Sequence, residues 1–110
     1  MICLVVYLKA RPGRTRELET AIVERWMEAM ARQPGFRRAA LLRPFADEHL
    51  SRLGAVRPDW DFEVASYWDS EEERVAWVGR DIHQEVWPQV VGEAAQVSYT
   101  LFEVAAGWSL

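Results

Sequence analysis

One of the chain's two histidines, His83, sits in the stretch GRDIHQEVWPQVV at residues 79–91, among Ile82, Val86, Trp87, Val90 and Val91. An imidazole with an ordinary pKa of about 6.5 can take a proton from a phenol or polarise a carbonyl at neutral pH. At about 100° per residue with Ile82 at zero, Val86 falls near ~40°, Val90 near ~80°, His83 near ~100°, Trp87 near ~140° and Val91 near ~180°. His83 therefore lies inside the apolar stripe of a helix. Asp81, Gln84, Glu85 and Gln89 fall outside it, so neither nearby carboxylate is placed to orient the ring. A histidine so buried is either the base of an enclosed site or a core residue with one ring nitrogen bonded to a backbone carbonyl. Pro88 removes the hydrogen bond to the Gln84 carbonyl and disfavours helix geometry at Trp87. A break there would leave only Ile82, His83 and Val86 secured on one face.

Six tryptophans accompany this base: Trp26, Trp60, Trp68, Trp77, Trp87 and Trp108. Trp68 ends a strand beside a helix N-terminus, where a flat indole can stack on an aromatic ligand or plug the core. Trp77 and Trp87 can line the same pocket as His83, and Trp26 faces in from the first helix; tryptophans on packed helices suit a core equally well. Tyr7 and Tyr99 bring hydroxyls into strands, where a ligand carbonyl, a buried water or the backbone can pair with them. The candidate site is thus His83 as base, with Trp68, Trp77, Trp87, Tyr7 and Trp26 as substrate-binding residues. Arg37, Arg38 and Arg43 read as solvated or paired strand-end charges, and His49 as a surface residue of a polar loop. The two histidines are far apart and neither belongs to a dense cluster of ligands, so no metal is expected. Phosphate-cradling glycine loops, a nucleophile elbow and a Ser/His/Asp pattern are missing as well, and no cofactor is expected.

Positioning such a site requires a core, and 110 residues, 50% of them apolar, suffice for a single domain over residues 1–110 without cross-links. A net charge of -4 works against nucleic-acid binding, which needs a cationic surface. Cys3 is the only cysteine, so an internal disulfide is impossible and a reducing compartment is favoured. The opening MICLVVYL lacks a basic flank and a cleavage site, and it is too short to span a bilayer. The expectation is a cytoplasmic protein that does not enter the membrane.

Ile2 to Lys9 is an unbroken apolar run that fits a strand buried on both faces. RPG at 11–13 ends it. From Arg14 to Arg32, Leu18, Ala21, Ile22, Trp26, Ala29 and Met30 recur at three and four residues, which predicts a surface helix with one buried stripe. QPG at 33–35 stops that helix, and Phe36 to Pro44 reads as a second strand. The following loop, 46–61, is long enough to be functional or a partner contact, with a short helix around Glu48 to Leu53. FEVASYW at 62–68 alternates as a strand, and Ser70 with Glu73 forms a capping box for a helix closed by Gly79. A further helix begins near Asp81, and Gln96 to Ala105 is the last strand.

This order matches the ferredoxin-like split βαβ arrangement, an α+β fold in which helices cover one face of a four-stranded antiparallel sheet. Tyr67, opposite Trp68 by alternation, then lies on the uncovered face. That face is too apolar to remain wet, so a homodimer with the two sheets packed face to face is expected.

With PG before the first helix, QPGF at 33–36 and YWDSEEERVAW at 67–77, followed by His83, nearly the whole chain resembles the antibiotic biosynthesis monooxygenase (ABM) family of dimeric α+β barrels. The resemblance implies one of several activities: cofactor-free oxidation of polycyclic aromatic phenols to quinones, haem degradation, or isomerisation. Haem-degrading members carry an Asn, a Trp and a ligand His where this chain has Val6, Trp77 and Trp87, so haem degradation is the least favoured. Quinone-forming members share Trp68, but carry Asn and Tyr where this chain has Val64 and Arg74. The expected activity is a cofactor-independent monooxygenase reaction on a small aromatic or polyketide-like substrate, with His83 as base. An isomerase using the same base, or a non-catalytic dimer that binds an apolar ligand, are the alternatives.

Overall fold

A computed structural model describes residues 1–109. Strands β1 (Ile2–Ala10), β2 (Phe36–Leu42), β3 (Phe62–Trp68) and β4 (Ala94–Glu103) form one sheet in the order β2-β3-β1-β4. All three pairings are antiparallel. This is the ferredoxin-like α+β fold. The apolar run of β1 is explained by its central place, bonded on both sides.

Register assigns each residue to a face. Ile2, Leu4, Val6 and Leu8 of β1 stand beside Trp68, Ser66, Val64 and Phe62 of β3, and this even-numbered set meets the helices. Cys3, Val5 and Tyr7 stand beside Tyr67, Ala65 and Glu63 on the open face.

Helix α1 covers the sheet first and is built of three consecutive stretches: α-helical over Thr15–Thr20, π-helical over Ala21–Met27 and α-helical over Glu28–Met30. Its most deeply buried side chains, Leu18, Ile22, Trp26 and Met30, are spaced by four. In a regular α-helix each four-residue step overshoots a full turn by about 40°, so three steps would carry the stripe about 120° around the axis. The wider π turns reduce that drift and keep Trp26 over the sheet. The sequence pattern predicted the helix but not this adjustment.

Helix α2 (Asp47–Leu53) lies in the long loop and buries none of its residues. Helix α3 (Glu71–Val78) begins at Ser70, whose side chain accepts from the Glu73 backbone N–H at 3.2 Å, as the capping box predicted. Helix α4 (Asp81–Val91) continues through Pro88, so the break allowed for at Trp87 does not occur. Val90, fully buried beyond the proline, anchors the last turn in the core. The Gln89 side chain also bonds the Glu85 carbonyl at 3.2 Å.

Candidate active site

The buried face of α4 is His83, Val86 and Val90, flanked by half-buried Trp87. Ile82 is 37% exposed, a correction to its expected place on the inner face. The apolar arc spans about 180°, and only its middle, where Val86, Val90 and His83 project, is buried. Hydrogen bonds from both backbone and side chains hold the turn that presents His83. Its N–H bonds Arg80 O at 3.1 Å, the Gln84 side chain bonds Val78 O at 2.9 Å, and Arg80 Nη1 reaches Gln33 Oε1 at 3.0 Å.

His83 is 7% exposed, and its Nδ1 is enclosed without a hydrogen-bond partner. The backbone-carbonyl contact expected of a structural core histidine is therefore not made at that nitrogen. Trp77 stands edge-on to the imidazole, with centroids 4.8 Å apart and planes at 89°. Trp87 stacks on it at 6.0 Å and 23°, and Trp87 in turn packs against Trp26 at 4.9 Å. Burial pushes the His83 pKa below its ordinary value, so the ring is held neutral more firmly than the sequence suggested. Its position in the first helical turn, where the helix dipole opposes a cation, acts in the same direction.

Beside this cluster lies a pocket of about 170 Å³, open to solvent where Val78 and Tyr99 are exposed, and lined by Leu4, Val6, Trp26, Arg74, Val78, His83, Trp87 and Tyr99. Its floor is the β1 pair Leu4 and Val6, and Tyr99 joins because β4 places it beside Val6. Arg74 projects from α3 and donates Nε to Glu71 Oε2 at 2.8 Å. That bond and the neighbouring charge raise the arginine pKa and lower the glutamate pKa, so both stay ionised. Arg74 and Tyr99 are the polar groups at the cavity that the expected site lacked. The sequence offers Tyr99 as a strand hydroxyl able to meet a ligand carbonyl, and Arg74 only through its place on the capped helix.

Of the expected site residues, the structure brings His83, Trp26 and Trp87 to one cavity and sets Trp77 behind the imidazole. Trp68 does not join them. It is fully buried, donates its indole N–H to Ser66 Oγ at 3.0 Å and meets the edge of Phe36 at 5.6 Å. Lying toward β2, it is a core plug, while the cavity opens over β1 and β4. Tyr7 is also separate, because strand alternation puts it on the open face, 5.8 Å from Trp60. Among the described residues, no group of three or more His, Cys, Asp or Glu side chains could hold a metal ion, and no helix is long and apolar enough to cross a membrane.

A four-stranded sheet with helices on one face, and an aromatic pocket beside His83 that opens to solvent, defines a ferredoxin-like α+β domain. The chain belongs to the antibiotic biosynthesis monooxygenase family, whose model matches residues 1–87. Among solved structures it is similar to SnoaB, a cofactor-independent oxygenase from Streptomyces nogalater, with 19% identity, a TM-score of 0.75, and coverage of 99% of this chain and 95% of that one. It is also similar to a dimeric ferredoxin-like protein of unknown function from Thermobifida fusca YX, with 15% identity, a TM-score of 0.66, and coverage of 92% and 88%. A dimeric protein of unknown function and ferredoxin-like fold from Bacteroides fragilis NCTC 9343 shares 10% identity at a TM-score of 0.71, with coverage of 93% and 94%. No curated protein matches the chain.

Proposed function

We propose that the protein is a cofactor-independent monooxygenase acting on a small phenol or a similarly acidic carbon compound, with His83 as general base. The observation that carries this reading is a neutral, buried imidazole in the wall of an aromatic cavity, with no partner at Nδ1. In this reading the His83 imidazole takes the substrate proton. Removing that proton leaves an electron-rich anion, stabilised beside the Arg74 guanidinium, that reacts with dioxygen directly. One phenol and one dioxygen give one quinone and one water. One oxygen atom becomes the new carbonyl, and the other leaves as water with the hydroxyl hydrogen and one ring hydrogen. The substrate supplies all the electrons. Family membership and the described activity of SnoaB support the same direction.

The working unit in this reading is a homodimer that pairs the open sheet faces. Exposed Phe102 and Trp108 and half-buried Tyr67 on that side support it, as do the two neighbours described as dimeric. The lone cysteine suits a reducing, cytoplasmic setting.

Oxygen uptake with product analysis tests the activity, using phenols and anthrones without added cofactor. His83→Ala is expected to lower uptake roughly 10²–10⁴-fold, the usual worth of a positioned base. Equal uptake by the folded variant would remove His83 from the mechanism.

A further inference from the structure

We infer that the substrate extends out of the pocket beside His83 onto an apolar shelf, formed by Tyr99 and Leu101 of β4 and by Val75 and Val78 of α3, and that it is a phenol with an uncharged apolar body remote from its hydroxyl. The inference rests on the pocket being the substrate site, and it adds a contact for the part of the molecule that does not react. Register shows where the shelf begins. Tyr99 stands beside Val6 and Leu101 beside Leu4, so all four lie on the sheet face that meets the helices. Val6 and Leu4 are buried, yet Tyr99 is 66% exposed and Leu101 40%. The helical layer therefore stops over β1 and leaves the same face of the edge strand β4 bare.

The shelf continues the pocket. Tyr99 and Val78 line the pocket and are themselves exposed, so its mouth opens between β4 and α3. On α3, Arg74, Val75 and Val78 lie within about 100° of one another around the axis, and Val75 is exposed as well. The chemistry changes along that path. His83 and the mostly buried Arg74 side chain stand in the pocket, whereas β4 from Gln96 to Phe102 carries no charged side chain and offers a charged tail no partner. An acidic hydroxyl inside and an uncharged apolar body outside match that gradient, since every carbon that covers Leu101 or Val75 leaves water. A second copy paired through the open sheet face does not cover the shelf, because Tyr99 and Leu101 stand on the opposite face from Cys3, Val5 and Tyr67.

Titrations with phenol, para-butylphenol and para-hexylphenol test this, followed through the indole N–H resonance of Trp87, which lines the pocket. In the native protein affinity should rise along the series by up to about fourfold for each methylene that leaves water. Greasiness alone also favours the longer tails, so the decisive comparison is with Leu101→Gln. Leu101 is exposed and lies outside the pocket lining, so phenol should bind this variant unchanged. The advantage of para-hexylphenol over phenol should fall by at least about tenfold, the worth of two or more methylenes left in water. Val75→Gln, on the opposite wall, should lower the same ratio, and it serves alone if Leu101→Gln does not fold. An unchanged ratio in both variants, with phenol still saturating one site, overturns the shelf while the pocket stands. An unchanged ratio together with weaker self-association of Leu101→Gln in sedimentation assigns the shelf to a second copy and overturns the inference as well. Absence of saturable binding by all three phenols removes the substrate site and the shelf together.

Discussion

An imidazole with an enclosed, unpartnered nitrogen is a costly core residue, and the cost makes a prediction about His83. A buried polar atom without a partner is worth about 1–3 kcal/mol of lost stability, and an apolar group of similar shape removes that penalty. His83→Leu is therefore expected to raise the melting temperature while abolishing turnover, the pattern of a residue kept for chemistry at the expense of stability. A structural histidine gives the opposite result, a lower melting temperature. The pH dependence follows from the same burial. The folded pKa lies below the ordinary 6.5, so on acidification the unfolded chain takes up a proton before the native protein does. Stability then falls as pH drops from 6.5 through the folded value, and it levels off below that value. Melting curves at about pH 7.5 and about pH 5.5 should show this loss in the native protein and a smaller one in His83→Leu. The acid limb of kcat/KM should also lie below about 6.5; a limb above it would assign the base to another group. The angular position of His83 made its burial legible in the sequence. The place of Trp68 was not legible, because the acceptor that satisfies its indole, Ser66, lies two residues back on the same strand face and carries no signal of that role. Tyr7 could have been set apart by alternation alone, since Leu4 and Val6 are even-numbered and it is odd.

The elements that carry the site differ in how far local signals define them. Helix α3 is set by its capping box and three acidic residues in its first turn, and it presents Arg74, Trp77 and Val78 together. Ser70→Ala removes the acceptor for the Glu73 N–H and should cost about 1 kcal/mol. For a domain of this size that corresponds to a melting temperature lower by about 4 °C. If α3 positions Arg74 as described, KM should rise as well; a lower melting temperature with unchanged KM would mean the cavity does not depend on that helix start. Helix α4 was less legible, because the local penalty of Pro88 is outweighed by the burial of Val90, a tertiary contact that no nearby residue announces. The π-helical stretch of α1 lay between these cases. Its signal was present in the four-residue spacing of Leu18, Ile22, Trp26 and Met30, which a regular helix cannot keep in line.

At the scale of the whole molecule, the proposed dimer pairs the open sheet faces, and side chains outside the strands can add to the area it buries. Four strands about 4.8 Å apart and seven to ten residues long present a flat area on the order of 500 Å². A stable interface takes roughly 800 Å² from each partner. Apolar side chains outside the strands can extend it, and Phe45, Leu53, Val56 and Trp108 are all exposed in the single chain. Trp108 is 102% exposed and lies in the C-terminal segment that borders the groove containing Cys3, Val5, Tyr67 and Phe102. Because it contributes nothing to the fold of one chain, its replacement separates association from folding. Trp108→Ser is expected to weaken dimerisation by about 2 kcal/mol or more, the usual worth of a tryptophan at the centre of an interface. That is roughly thirtyfold in the dissociation constant. Sedimentation equilibrium over a dilution series measures it directly. A native chain that remains monomeric at high concentration would overturn the face-to-face dimer, and a native dimer unaffected by Trp108→Ser would confine the interface to the strands and the 46–61 loop.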